Sequence, residues 1–337
     1  MLTLDNLSTL HTFTGTPSES WFLLVSAAIE ARSASILPLL LSSLHAVRNG
    51  DVALLTSDLR ELAAEIVEMG VLLQKMHAEC DPNVFYNQIR PFLAGWNNMS
   101  PAGLPQGVIY EGTKPFRANP PHPIDWTTGY RTYAGGSNAQ SALIQALDIV
   151  MGIDHRPTGE KKDMGGEGVP PPKRHEFIKE MRGYMPGGHR RFLEDLSRVS
   201  NLRDFVTKYP ASIQGNELKE AFDACLAGLR RFRDIHIQIV SRYILVPSSK
   251  TTVKKPNPGG ETGTGGTRLI PFLKQVREET MEGVAAEYTR GLIAQGLYPR
   301  ERAKRSREIA EREDTQTVVG LAGVWETGFD GGGICHW

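Results

Sequence analysis

The sequence predicts an all-α protein, and three observations carry that prediction. Between Asn216 and Ser248, the residues Leu218, Phe222, Cys225, Leu229, Phe232, His236, Ile239 and Tyr243 recur at spacings of four and three. That is the seam of one buried helix face, which should stop at Pro247. Leu59, Leu62, Ile66, Met69, Leu73 and Met76 form a second such stripe. The third observation is negative: the chain has no internal repeat and no sustained two-residue alternation of the kind a half-buried strand shows.

In chain order, "SESWFLLVSAAIEARSASILPLLLSSLHAVRNG" reads as one or two buried helices. Ser18 or Ser20 can start them and Gly50 can stop them. The stripe helix is next, with Ser57 or Asp58 placed to accept from the free amides of its first turn. "NVFYNQIRPFLAGW" is an apolar segment that Pro91 should break, because proline lacks an amide hydrogen and crowds the preceding turn. Residues 97–135 are irregular and rich in Pro, Gly and Asn. They close on "YAGGSNAQSALIQALDIVMG", a glycine turn feeding a helix with Ser137 near its start. "RPTGEKKDMGGEGVPPPK" reads as a solvated insertion, and "HEFIKEMRGYMPGGHRRFLEDLSRV" as two short helices split at Pro186. Beyond the His236 helix, a polar glycine-rich loop leads into a helix that begins near Leu269. "RERAKRSREIAERE" is a charge-laced helix with a solvated face, and "GFDGGGICHW" reads as disordered.

Composition excludes several functions. The 337 residues are 40% hydrophobic, enough for a sizeable core, and 38 Lys+Arg balance 38 Asp+Glu. That balance lacks the basic footprint of a nucleic-acid binder and gives no reason to invoke an anionic membrane. The three cysteines, Cys80, Cys225 and Cys335, are scattered and odd in number, which argues against a disulfide framework or zinc cage and for a reducing compartment. The N-terminus lacks a signal design, and the most apolar run, "ASILPLLLSSL", is too short to span a bilayer. The expectation is a soluble, cytoplasmic protein.

Neither H-E-x-x-H nor G-x-S-x-G occurs, and "GETGTGGTRL" lacks the phosphate-binding lysine of a Walker loop. Arg90 sits among Phe85, Tyr86, Phe92 and Trp96, either as a snorkelling surface residue or as a cation held for a carboxylate. Asp148 lies on an apolar helix, and Arg233 lies one turn before His236, so these two are natural mates. His236 itself is either a core histidine bonded to a carbonyl or a ligand. One histidine on an apolar face, a neighbouring arginine and no second cluster of metal ligands suit haem, which takes a single protein ligand from one side. Zinc or non-haem iron would need several ligands, which His45, His77, His155, His175 and His189 are not spaced to supply.

The order and wording of "GWNN", "GVIYEG", "YAGGSNAQSALIQALDIVMGI", "EMRGYMPGGHRRFLEDL", "AFDACLAGLRRFRDIHIQIVSRYILVPS" and "GTGGTRLIPFLKQVREET" closely resemble the indoleamine 2,3-dioxygenase family. The resemblance runs over roughly residues 16–283 and rests on several linked motifs. It implies a helical domain with one haem b per chain, and insertion of O₂ into the indole ring of L-tryptophan or a related indole. The product would be N-formylkynurenine, at the first step of the kynurenine pathway of tryptophan catabolism towards NAD. An electron donor would keep the iron ferrous, and a monomer is implied.

Carried across residue by residue, the resemblance makes His236 the proximal iron ligand, Arg233 the cation for a haem propionate and Asp148 its acidic partner. Arg90 becomes the grip on the substrate carboxylate. Phe85, Tyr86 and Leu93 take the family's pocket positions beside it, and Phe22 and Ser26 the positions over the iron. Gly136 and Ser137 match the backbone beside the haem, and Thr264 and Gly265 the loop that closes on the substrate's amino group. On this basis the chain divides into an N-terminal segment (1–15), a haem-binding catalytic domain (16–290) with irregular insertions near 97–135, 156–173 and 247–262, and a tail (291–337) of charged helix and disordered chain.

Three departures from the family pattern stand out. The small helical domain that normally precedes "SWFLLVS" is missing, Asn138 stands where the family prefers a small residue, and "HPIDWTTGYRTY" and the tail are unusual. A truncated haem-binding paralogue without dioxygenase turnover, a sensor or relict, is therefore the alternative expectation.

Overall fold

Thr16 starts the first long helix. Its hydroxyl accepts from the Glu19 amide, and Pro17 takes the first helical position, where a missing N–H costs nothing. The cap thus falls just before Ser18 and Ser20. Ser18 instead accepts from the Asp81 amide, and Glu19 holds the amides of Phe13 and Thr14, fastening the N-terminal segment. This computed structural model describes residues 3–97, 99, 103–111, 130–156, 176–250, 263–264 and 268–285, with the backbone of 318–320 and 323–325. The chain divides into two units, Met1–Ala285 and Ala286–Trp337.

In the first unit, α1 (Pro17–Arg32) passes through a 3-10 turn into α2 (Ile36–Asn49), which stops at left-handed Gly50 as the sequence suggests. Together Pro17–Asn49 is long and apolar enough to cross a membrane by length and composition alone, whereas the sequence suggests an apolar run too short to do so. Here α2 packs along α3 (Val52–Gln74) and buries Ile36, Leu40, Leu44 and Val47. Asp51, not Ser57 or Asp58, caps α3 by accepting from the Leu54 amide, so the helix starts six residues before Asp58. Every member of its predicted stripe is buried.

Two short helices, α4 (Met76–Glu79) and α5 (Pro82–Val84), lead into a π turn over Phe85–Ile89 and then α6 (Arg90–Leu93). Pro91 therefore does not break the segment. The Arg90 amide reaches back to the Phe85 carbonyl, so the ladder has already widened where the proline amide is lacking. β1 (Val108–Ile109) and β2 (Tyr130–Arg131) pair antiparallel. Next come α7 (Ala142–Val150), capped by Ser141, α8 (Glu176–Met181), α9 (Gly187–Val199) and α10 (Leu202–Lys208). Ser137 caps a separate 3-10 turn, Asn138–Gln140.

The central helix is α11 (Ile213–Val240), which lies against α3. A Cβ on Gly228 would sit 3.0 Å from Ile66, and one on Gly70 would sit 3.3 Å from Ile235, so glycine lets these helices approach closely. Of the predicted seam, Leu218, Phe222, Cys225, Leu229, Ile239 and Tyr243 are buried, while Phe232 and His236 are half-buried. A second π turn, Ser241–Leu245, joins α11 to α12 (Val246–Lys250), so the helical path runs on through Pro247. Each π turn is thus followed, after one residue, by a proline. The unit closes with α13 (Leu269–Thr280) and a 3-10 turn, Met281–Gly283.

In the second unit, β3 (Val318–Gly320) and β4 (Gly323–Trp325) form an antiparallel pair, in a tail where the sequence predicts no strand. The charged segment 300–313 and the tail after 325 lie outside the described residues.

Candidate functional site

Two neighbouring sites form around the C-terminal half of α11. The first is a cavity of about 390 Å³, within the size range of small-molecule pockets, walled mostly by apolar side chains. α1 contributes Phe22, Leu23 and Ser26; the first π turn and α6 contribute Phe85, Arg90 and Leu93; α13 contributes Leu269, Phe272 and Leu273. His236 and Ile239 face it from α11, and Tyr243 from the second π turn. Rings fix the wall: Phe85 lies 5.1 Å from Phe22 and edge-on to Tyr243 at 5.7 Å. The Tyr243 hydroxyl meets the carbonyls of Met76 and Cys80 at 3.0 and 2.9 Å, which satisfies its polar end.

His236 makes no hydrogen bond to any described residue, so no described carbonyl ties it. Burial pushes its pKa down to about 4, and the ring is neutral with a lone pair to offer at ordinary pH. An unprotonated imidazole facing a largely apolar cavity, with no hydrogen bond to a described residue, fits the one-sided protein ligand of a haem iron. Arg90 lines the same cavity, its guanidinium carbon 5.4 Å from the Tyr86 ring centroid. Tyr86 itself is buried beneath the arginine and is not on the cavity wall.

Opposite, the backbone forms a three-part clasp. The Gly136 amide donates to the Leu93 carbonyl at 3.0 Å, and the Gly135 amide to the Thr264 carbonyl at 3.1 Å. The Thr264 hydroxyl then donates to the Gly136 carbonyl at 2.8 Å. A Cβ on Gly135 would lie 2.1 Å from the Leu93 oxygen, and one on Gly95 would lie 2.3 Å from the Gly135 nitrogen, so both positions require glycine. Gly136, Ser137, Asn138 and Thr264 all reach the cavity, whereas Gly265 lies outside the described residues.

The second site is ionic. Arg233 and Asp148 do not line the first cavity; Arg233 places Nη2 at 2.6 and 2.8 Å from the two Asp148 carboxylate oxygens and Nη1 on the Thr280 hydroxyl. Asp148 also meets His155 Nε2 at 3.0 Å, and His155 Nδ1 meets Glu279 at 2.7 Å. Glu279 further accepts from the Arg156 amide and from Gln275. Burial alone would raise the Asp148 carboxyl, but Arg233 and His155 beside it hold it below the usual range. Glu279 shows the same pattern, with His155 and Gln275 outweighing burial. His155 is raised, because Asp148 and Glu279 more than reverse the effect of burial. Sequence reasoning pairs Asp148 with Arg233 but misses His155, Glu279 and Thr280. Glu279 lies 124 residues from His155, and no local spacing links the two.

The chain is similar to known proteins over most of its length. The family model described as "Indoleamine 2,3-dioxygenase" matches residues 1–283. The chain is 41% identical over 306 residues to an indoleamine 2,3-dioxygenase of Saccharomyces cerevisiae, covering 83% of this chain and 62% of that protein. It is 37% identical over 294 residues to an indoleamine 2,3-dioxygenase of Aspergillus nanangensis, covering 85% and 64%. Identity to a 6-hydroxytryptophan 2,3-dioxygenase of Fusarium equiseti is 34% over 295 residues, covering 84% and 65%. The chain thus spans a little under two thirds of the length of these relatives.

Proposed function

We propose, on the premise that the chain belongs to the indoleamine 2,3-dioxygenase family, that it is a haem b dioxygenase acting on L-tryptophan or a related indole. Of the relatives above, two are named for indoleamine and one for 6-hydroxytryptophan, which supports an indole substrate. One haem per chain would be held by His236, and Arg233, which lies outside the cavity wall with its guanidinium on Asp148 and Thr280, would have to turn towards the cavity to meet a haem carboxylate. The observation that carries this reading is the unpartnered, neutral His236 facing a cavity that also presents Arg90.

Haem, when bound, supplies the activation of O₂. The reaction breaks the C2–C3 bond of the pyrrole ring and places one oxygen atom on each carbon, giving N-formylkynurenine with no net reductant consumed. Arg90 would hold the substrate carboxylate through a charge-assisted pair, and Tyr86 beneath it limits where the guanidinium can go. Phe22, Phe85, Leu93 and Phe272 would confine the indole and exclude water. Thr264, clasped to Gly136, would cover the substrate's amino group. Ser26 donates to the Phe22 carbonyl at 3.2 Å, so its hydroxyl is engaged within α1, and the protein's contribution would be chiefly orientation. Cys80 and Cys225 are buried as thiols, which suits a cytoplasmic setting.

The test is the absorption spectrum of the full chain expressed with added haem, beside His236→Ala. A Soret band that responds to reduction and CO in the wild type, and weakens or shifts in the variant, is expected. Formation of N-formylkynurenine from tryptophan and O₂ should accompany it, and a Soret band without product would reject the dioxygenase reading while leaving the haem reading intact. Two colourless, folded proteins would reject both.

A further inference from the structure

His155 is placed unlike any other titratable group among the described residues. Its side chain is 6% exposed and each ring nitrogen faces a carboxylate oxygen, Nδ1 to Glu279 at 2.7 Å and Nε2 to Asp148 at 3.0 Å. Ionised carboxylates only accept hydrogen bonds, and a neutral imidazole carries a single N–H. A neutral His155 would leave one of these contacts between two lone pairs, so the geometry demands an imidazolium. Charge balance agrees. Arg233 and Arg156 meet three carboxylates, Asp148, Glu279 and Glu282, and a charged His155 makes the cluster neutral.

The two carboxylates belong to different helices. Asp148 sits on α7 and neutralises Arg233, one turn before His236. Glu279 sits near the end of α13, whose opposite end places Leu269 and Phe272 on the cavity. We propose that His155 is a positioning residue, a doubly protonated latch that ties α13 to α7, fixes Arg233 through Asp148, and makes retention of the cofactor depend on a proton. The inference rests on the haem reading of the cavity for its functional consequence, but not for the latch itself.

The charged groups around His155 set the direction. Asp148 from α7 and Glu279 from α13 favour the proton, and Arg233 from α11 opposes it. Asp154 and Arg156 lie in its own loop, Glu282 is bonded to Arg156, and Lys179 and Arg182 stand across a polar cavity of about 300 Å³. The net result is a raised pKa. Because the folded value lies above the ordinary 6.5, the latch is fully made below about pH 6.5 and is lost as pH rises through the folded value.

The deciding experiment has two arms on the full chain. In the first, long-range ¹⁵N–¹H spectra of ¹⁵N-histidine-labelled, haem-free protein at about pH 6, below the ordinary histidine value, should show an imidazolium with both nitrogens protonated that is absent from His155→Gln. A single neutral tautomer for His155 would overturn the latch, whatever haem does. In the second, transfer of haem to excess apomyoglobin is timed from pH 6.5 to 9. Release from the wild type should accelerate with pH, and His155→Gln should release roughly tenfold faster at pH 6.5 with no such acceleration. Glu279→Gln, which removes one carboxylate, should move the acceleration to lower pH. Equal, pH-independent release from all three would overturn the positioning role. Failure of any of them to take up haem would count against the cofactor reading, with the spectra still deciding the latch.

Discussion

Arg233 and His236 stand three residues apart on α11, yet their surroundings treat polarity in opposite ways. Around Arg233, acceptors on α7 and α13 take up the guanidinium, and His155, on the same Asp148, is wedged between two carboxylates. At His236 the wall is apolar and the imidazole is left without a partner. The contrast separates a group that holds helices together from a group kept ready for a ligand. Saturated polar clusters fix geometry, whereas an unmet buried acceptor is costly unless something binds it.

The same contrast appears in the two histidines as opposite titrations. His236 is depressed, so its share of the haem-free protein's stability is complete above about pH 6.5 and is lost as pH falls towards about 4. His155 is raised, so its share is lost on the alkaline side instead.

The comparison can be broken in four ways, taken from the largest expected effect. His236→Ala should abolish ordinary haem ligation, read as loss or displacement of the Soret band, while the haem-free chain still folds. Asp148→Ala strands both Arg233 and His155 without their shared counter-ion, and should cost about 3–5 kcal/mol of stability in denaturant unfolding. A cost below about 1 kcal/mol would mean the cluster is not saturated as described. Arg90→Ala should weaken tryptophan binding by about 1.5–3 kcal/mol, read as a raised KM with the Soret band unchanged. Last, thermal melts of haem-free protein should show His236→Leu with a smaller acid decline between about pH 6.5 and 4 than the parent. As a floor for all of these, Asp204→Asn removes an exposed i,i+4 pair with Lys208 and should change stability by no more than about 0.5 kcal/mol.

Much of this is legible in the sequence, for physical reasons that differ by residue. The α3 stripe and most of the α11 seam appear because burial on one face imposes a 3.6-residue period. Linked motifs point to Phe22, Ser26, Phe85, Arg90, Leu93, Gly136, Ser137, Thr264 and His236, and all of them reach one cavity. Caps are misplaced because several short polar residues near each start could serve, and only the backbone decides between Thr16 and Ser18 or between Asp51 and Asp58. His155 is invisible as a bridge, since its meaning depends on Glu279 arriving from far along the chain. The π turns leave no mark on the hydropathy pattern, and proline reads as an ending where the helices have made room for it.

Those two widened turns carry a consequence for how the chain tolerates length changes. A helix turns about 100° per residue, so a five-residue repeat stores one extra residue without lengthening the helix by a full step. Removing one residue from Phe85–Ile89 would let a regular helix form with Arg90 close to its present angle about the axis, because the wide turn has absorbed the extra residue. The same deletion in Ser241–Leu245 would leave His236 in place and the residues beyond the turn near their present phase. A one-residue deletion in either turn should therefore cost less stability in denaturant unfolding than one in the middle of α3, where every later residue would rotate by about 100°. Equal losses would show that the wide turns hold no spare residue.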